Sequence, residues 1–456
     1  VSSPSIVWLR DDLRLADNPA LDAAVRRGEP VVVVYLLDEV SPGIRPLGGA
    51  VKWWLHHSLT ALATSLEAIG GSLVLRRGDA ATEIPRLVTE AGAGAVYWNR
   101  RYGRSRDIDA ALKTSLREAG VEVQSFRANL LFEPWTVTTQ EGRPYGVFTP
   151  FWKTCLEIGV SREPLEAPAS IDGHPVASDD LDSWELLPTH PDWAGGLREH
   201  CRPGEENAHE RLERFAVEIV EDYGSRDEPA VEATSGLSPY LRFGELSPLQ
   251  IWHRLTGAIE ASSRQNAASF LRELGWREFN YSILYNFPDL HTRNFRPAFD
   301  AFPWADAPEW EIDAWRHGRT GVPLVDAGMR ELWHTGTMHN RVRMVTASFL
   351  IKNLLVDWRV GEAWFWDTLV DADEANNAAN WQWVAGSGAD AAPYFRVFNP
   401  VLQAKKFDTH GRYIRRWVPE VEAGEYPLEP IVDLAQSRRE ALAAYDTMKA
   451  TAQPVT

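Results

Sequence analysis

The chain has 456 residues, 44% hydrophobic and 24% charged, enough for two or three domains around a sizeable core. Its formal net charge of −17 argues against a generally basic nucleic-acid binder, yet leaves room for one basic face, because only cations that meet phosphates release counterions. Cys155 and Cys201 belong to no C-x-x-C or Cys/His grouping, so no disulfide framework or metal site is signalled and two idle thiols are expected.

In chain order, the first part alternates apolar runs with amphipathic stretches. Strands are predicted at Ser5–Leu9, Val31–Leu37, Ser72–Arg76, Ala95–Trp98 and Val121–Phe126, and helices at Pro19–Arg27, Trp53–Ile69, Thr82–Ala91 and Arg106–Ala119. Short continuous apolar strands separated by helices predict a doubly wound α/β domain with a parallel sheet over residues 1–129. The loop after the first strand reads Arg10-Asp11-Asp12-Leu13-Arg14 and has no G-x-G-x-x-G, so this half carries no dinucleotide fingerprint. Residues 130–203, rich in Pro, Gly, Asp and Trp, read as a connector wrapped over the surface. From 204 to 456 the pattern becomes helical, with helices expected at Glu205–Tyr223, Ser247–Ile259, Ala267–Phe287, Asp326–Trp333, Asn340–Trp358 and Gly361–Val370. Val1–Arg10 lacks a signal pattern, and the longest apolar run, Val31–Leu37, is too short for a bilayer; the expectation is a soluble cytoplasmic protein.

The chemistry is concentrated in the helical half. Ten of the 20 tryptophans lie between Trp276 and Trp383. An aromatic core is the usual fate of buried Trp, but spaced indoles also pass an electron hole from a cofactor to the surface. Thr234-Ser235-Gly236-Leu237-Ser238-Pro239 combines hydroxyls and a glycine with Ser-Pro, a helix start that aims free N–H groups at an anion such as a pyrophosphate. In the helix through Glu273-Leu274-Gly275-Trp276-Arg277, Glu273 and Arg277 have ion-pair spacing, and Glu273 shares a face with Trp276. Asn340, Arg343 and Met344 share another face, with Arg341 pointing elsewhere and His339 read as a structural histidine. Asp371 and Asp373 open an acidic, amide-rich loop that ends in Trp381-Gln382-Trp383. Without His or Cys beside them, these aspartates fit a cofactor hydroxyl or ring N–H better than a metal.

Taken in order, the Trp-Arg-Glu-Phe block at Trp276–Phe279, Met338-His339-Asn340-Arg341, the Asp-x-Asp loop before Trp-Gln-Trp, and the segment from Asp390 to Pro400 closely resemble the photolyase/cryptochrome family over nearly the whole chain. The resemblance implies a U-shaped FAD in the helical half and an antenna pigment in the α/β half. Tyr223, Thr234, Ser235, Gly236, Leu237 and Ser238 would hold its phosphates and ribityl chain, with Phe270 and Arg277 also in the cofactor set. Arg343 and Asp371 would pair beside the isoalloxazine, Asp373 would lie close, and Asn377 would face N5. The lesion-handling positions match the branch that repairs cyclobutane pyrimidine dimers. Glu273, Asn340 and Met344 would contact the damaged bases and Trp276 and Trp383 would wall the pocket. Arg226, Arg341 and Gln403 would meet DNA at its mouth, with the dimer flipped out. Trp381, Trp358 and Trp304 match the chain that photoreduces oxidised flavin. Lys52-Trp53-Trp54-Leu55-His56-His57 favours methenyltetrahydrofolate over a deazaflavin as antenna, although Arg100–Arg104 and His291-Thr292 depart from the family pattern, as does Thr337, where many relatives have Trp. A monomer is expected, with no obligate protein partner. The alternative is a cryptochrome-type photoreceptor on the same fold; repair of the (6-4) photoproduct wants paired histidines, and an ordinary flavoprotein oxidoreductase wants a fingerprint that is missing.

Overall fold

The computed structural model describes residues 3–257, 260–392, 395–427 and 429–452. Strands β1 (Ser5–Leu9), β2 (Val31–Leu37), β3 (Leu73–Arg77), β4 (Ala95–Asn99) and β5 (Glu122–Phe126) form one parallel sheet in the order β3-β2-β1-β4-β5. Every residue of β1, β2 and β4 is buried, which is why these strands read as unbroken apolar runs rather than alternating ones. Alternation decides only which core a residue joins. Ile6, Trp8, Val32, Val34 and Trp98 face a local core closed by helices. Val7, Leu9, Val33 and Tyr35 face a second core that runs on into the helical half. The sheet is thus welded to the rest of the molecule through one face.

Strand order reverses between β1 and β4, and a crevice is expected beyond the carboxyl ends there. A cavity of about 120 Å³ sits at that point, bounded by Arg10, Asp11 and Tyr35 from the sheet and by Arg242, Tyr281 and Asp373 from the helical half.

The helix expected from Trp53 begins at Gly49 and runs to Ala68. The Gly49 N–H donates to Asp367 Oδ1 at 2.8 Å, a start supplied by a residue 318 positions away and therefore absent from local sequence. The connector also does more than cover a surface. Its helix Phe148–Ile158 buries Phe148, Phe151 and Cys155, with Phe148 and Phe151 both packed on Phe279. Cys155 and Cys201 are buried free thiols.

In the helical half, Glu205–Arg214 continues through two tighter and wider turns to Ser225. The Ser247–Gln250 capping box starts Pro248–Thr256; the expected end at Ile259 lies outside the described residues. The helices at Arg264–Asn286 and Pro323–Thr335 are longer than expected. The single helix expected over Asn340–Trp358 is in fact split. Asn340–Ser348 runs into a wide turn at Phe349–Asn353, Leu355 takes φ +54°, and Asp357 caps a new helix, Trp358–Thr368. No helix among the described residues is long and apolar enough to cross a membrane.

Candidate functional site

Asn377 lies in the first turn of the helix Asn376–Ala385 and is buried. The carboxylate of Asp373 holds that turn by accepting the N–H groups of Ala375 (2.8 Å) and Asn376 (2.6 Å) and the Asn376 side-chain amide (2.6 Å). Burial raises its pKa above the ordinary carboxyl value. The Asn377 amide nitrogen donates to the Glu362 carbonyl (3.0 Å) and to Glu362 Oε1 (2.8 Å). Both partners are acceptors only, so the amide orientation is settled and its Oδ1 is left as an acceptor. Glu362 is held in turn by Arg45 of the α/β half, at 2.7 and 2.9 Å. Sequence reasoning misses Glu362 and Arg45 because no motif relates residues 317 positions apart.

Arg343 and Asp371 form a bidentate pair at 3.1 and 2.9 Å, and Ser238 Oγ donates to the same carboxylate at 2.6 Å. Ser238 is therefore not the helix cap that its Ser-Pro context suggests; the helix Ser238–Phe243 has Leu237 at its cap position and no side-chain cap. Arg211 shapes the preceding loop by donating to the carbonyls of Thr234 (3.0 Å) and Ser235 (2.6 Å). Ser235 Oγ accepts from the Leu237 N–H at 3.3 Å. Gly236, at φ +66°, lies so close to Arg211 that a Cβ would fall 2.9 Å from Nε; only glycine gives this turn. Arg242 bonds both the Ala372 carbonyl and Asp11, fixing the Asp371–Asp373 loop to the sheet.

Tyr223 and Phe270 are buried and meet edge to face at 5.5 Å, with Phe215 against both. Trp381 and Trp358 are buried and Trp304 is half-buried. Among the described ring contacts, Trp381 meets Phe365 at 4.9 Å and Trp315 at 6.2 Å. Trp358 donates to Asn294 at 3.0 Å, and Trp304 packs on Phe302. Trp315, fully buried, is a neighbour of Trp381 that clustering alone does not single out.

Glu273 does not pair with Arg277. It lies 3.7 Å from Arg226, half-exposed, with burial raising its pKa. Arg277 turns to the connector and donates to the Asn129 carbonyl at 2.8 Å, lining the cavity near Asp373. A tertiary partner wins over the helical spacing. Trp276 stacks on Phe148 at 3.9 Å and 10°, and shares a recess with Trp383, Asn280 and Ala379. Asn340 is exposed at the start of its helix and Met344 is half-buried. Arg341 does not point away from this face. It reaches Asp227 at 2.7 Å and passes 3.9 Å from the Met344 sulfur, over the Phe407 ring. His339 Nδ1 accepts the Arg341 N–H, and burial pushes its pKa down to about 4, so it is a neutral cap. Gln403, on the helix Pro400–Phe407, keeps a buried Oε1 without a protein partner. Lys405 and Lys406 of the same helix, and Arg412, Arg415 and Arg416 of the next helix, Arg412–Trp417, are exposed. Of the expected motif from Asp390 to Pro400, Pro393 and Tyr394 lie outside the described residues.

Residues 5–169 match the family model described as DNA photolyase, and residues 270–425 the FAD binding domain of DNA photolyase. The chain is 49% identical to the deoxyribodipyrimidine photo-lyase of Agrobacterium fabrum over 99% of both sequences. The chain belongs to the photolyase/cryptochrome family. The crystal structure of a bacterial class III photolyase from Agrobacterium tumefaciens overlays this member of the family with a TM-score of 0.94 and 49% identity, covering 99% of this chain and 98% of that one. Cryptochrome-1 of Arabidopsis thaliana is 38% identical over 91% of this chain and 63% of its own length.

The residues present fit an FAD, the cofactor of the matched domain. The Asn377 Oδ1 is an acceptor available to a reduced ring N–H, the Ser238–Phe243 helix begins without a side-chain cap, and the buried Asp371 is paired with the partly exposed Arg343. On the α/β side, Trp53, Trp54 and Leu55 are core residues, while Lys52 pairs with Glu39 at 3.0 Å and His56 and His57 remain partly open.

Proposed function

We propose that this chain is a deoxyribodipyrimidine photolyase that uses blue light and reduced FAD to split cyclobutane pyrimidine dimers in DNA. The observation that supports this reading best is the half-exposed Glu273 carboxyl one turn before Trp276 on the same helix, with Trp276 in turn sharing a recess with Trp383.

When bound, a reduced FAD would supply the light-driven electron exchange that opens the cyclobutane ring with no net redox change. The protein prepares for that exchange. Asn377 offers an oxygen acceptor to a protonated ring nitrogen, and Glu362 prevents the amide from flipping. Asp371 is held in a bidentate pair by Arg343. Glu273, its pKa raised by burial, is suited to share a proton with a base carbonyl on which negative charge develops. Trp276 and Trp383 receive the extruded bases by stacking, Asn340 and Met344 complete the contact, and Arg226, Arg341 and Gln403 meet the strand at the mouth. The lesion flips at reduced cost because its stacking is already compromised. The exposed cations of the helices Pro400–Phe407 and Arg412–Trp417 supply phosphate contacts that the net charge alone does not foretell. Thr234–Ser238, Tyr223, Phe270 and Arg277 are assigned to holding the FAD, and Trp381, Trp358 and Trp304 to its photoreduction. Methenyltetrahydrofolate is the antenna we favour, in a monomeric cytoplasmic enzyme.

The test is direct. Reduced protein is incubated with an oligonucleotide carrying one thymine dimer, in darkness and under blue light. Intact thymines recovered only in the light support the reading; none, with reduced FAD bound, leaves a cryptochrome-type photoreceptor.

A further inference from the structure

Glu199 and His200 end the connector helix Gly195–His200, and His334 lies in the last turn of Pro323–Thr335; all three side chains are exposed. One donor atom from each of the three side chains lies within 4.8 Å of the other two. The two helices are held in this approach by the backbone, since a Cβ on Gly196 would fall 1.9 Å from the His334 carbonyl oxygen. The imidazoles of His200 and His334 meet at 5.2 Å, and His334 Nε2 lies 3.9 Å from Glu199 Oε2. The His200 Nδ1 is 3.0 Å from the Gly196 carbonyl, which can only accept, so Nδ1 is the donor of this contact and Nε2 is the nitrogen left for a ligand. Metal-binding histidines are oriented in the same way. The neighbouring cation is already satisfied, since Arg198 is paired with Asp192 at 2.7 Å, and the carbonyl end of the Pro323–Thr335 helix favours positive charge.

We propose that Glu199, His200 and His334 form a binding site for one divalent transition metal of the zinc type. Two imidazole nitrogens and one carboxylate oxygen are the donor set of three-ligand zinc sites, which leave the fourth position to water. Tetrahedral bonds of roughly 2.0–2.1 Å put donors about 3.4 Å apart, so all three exposed side chains need only a small rotation to close on an ion. Nickel and copper ions bind the same donors, and availability decides among them. The two histidines come from the connector and from the helical half, so the ion staples one to the other and stabilises the fold by mass action. No sequence motif announces the site, because its histidines belong to different segments. It is independent of the photolyase reading.

The flavin-loaded full chain, stripped with EDTA, is titrated with Zn²⁺ by calorimetry and with Co²⁺ by visible absorption. One saturable equivalent is expected, with a tetrahedral Co²⁺ band and a Zn²⁺-dependent rise in melting temperature. His200→Ala and His334→Ala should each weaken binding by more than the roughly tenfold lost with a group that only orients a ligand, and abolish the thermal shift while flavin absorbance stays unchanged. Glu199→Gln should weaken it without altering the unliganded melting temperature. Wild-type protein that shows no saturable uptake, or a double His200→Ala/His334→Ala variant that retains the stoichiometry, overturns the proposal.

Discussion

Arg45, in the segment after β2, and Glu362, in the helix Trp358–Thr368, join the two halves of the molecule through a bidentate pair whose carboxylate is 3% exposed. The guanidinium also lies 4.2 Å over the Trp366 ring. Because Glu362 takes both hydrogen-bond donors of the Asn377 amide, a residue of the α/β half governs an amide in the helical half. Replacing Arg45 by Ala strands a buried carboxylate, at a cost of about 3–5 kcal/mol. The expected result is a lower denaturation midpoint and faster air oxidation of the bound reduced flavin. An unchanged oxidation rate in a folded variant would show that Asn377 keeps its orientation without help from Arg45.

Glu273→Ala removes a half-exposed carboxyl but no residue of the buried network, since among the described residues its ion-pair contact is Arg226 at 3.7 Å. A hydrogen bond to a developing charge is worth about 1.5–3 kcal/mol. Repair per absorbed photon should therefore fall by about tenfold or more while the flavin spectrum is preserved. Glu273→Gln, which keeps a hydrogen-bond donor, should retain more of the yield than Ala; equal losses would remove the carboxyl from the repair step.

Glu278 takes the N–H groups of Leu131 and Phe132 at 2.8 and 3.1 Å, tying the connector to the long helix, and lies 3.4 Å from Arg277. Burial nevertheless pushes its pKa up to about 7 from an ordinary 4.5. Between those values the folded protein binds more protons at this site than the unfolded chain. Stability from this group is thus greatest below about pH 4.5, falls as pH rises towards 7, and is level above, a loss of about 3 kcal/mol at most. Glu245, also pushed up to about 7 by burial, adds a slope of the same sign. The measurement is the melting temperature of wild type minus that of Glu278→Gln across this range. A difference that does not vary with pH would mean that Glu278 titrates normally.

The parts of the fold legible in sequence are those fixed by local chemistry. The unbroken apolar run Val31–Leu37, opening on four valines, announces a strand buried on both faces, and Ser247 with Gln250 announces a helix start. What sequence misses is supplied from a distance. Gly49 is capped by Asp367, Glu273 pairs with Arg226 in place of the helical neighbour Arg277, and Leu355 turns to φ +54° inside an apolar run that reads as continuous helix. The site divides in the same way. The meeting of Arg343 with Asp371 comes through family resemblance, since 28 residues separate them. Glu362, which directs Asn377, carries no motif at all. Spacing alone also sends Arg341 away from Met344, whereas Asp227 draws it back across that face.

The exposed cations of the helices Pro400–Phe407 and Arg412–Trp417 lead to a prediction about salt. Each phosphate contact contributes roughly 0.9 to the slope of log affinity against log salt. Lys405→Glu with Lys406→Glu should lower that slope by about 2 and weaken damaged and undamaged DNA alike. A loss confined to dimer-containing DNA would place these lysines at the lesion rather than on the backbone.

Trp276 and Trp383 differ in how firmly they are held. Phe148 covers one face of Trp276 in a parallel stack, while Trp383, half-buried, has the Arg396 guanidinium 5.7 Å from its ring. Base-to-indole stacking is worth about 1–3 kcal/mol, so Trp383→Ala should weaken binding of a dimer-containing oligonucleotide by roughly tenfold or more. Undamaged duplex, whose bases stay stacked, should bind almost as before. Phe148→Ala leaves both indoles in place but frees Trp276 to rotate, so its effect should be a smaller loss in the same direction, together with the lowered stability expected when a buried aromatic is removed, about 3–5 kcal/mol. Gel-shift titrations of paired damaged and undamaged oligonucleotides separate the two effects. If Trp383→Ala weakens both DNAs equally, the recess it shares with Trp276 does not hold the extruded bases.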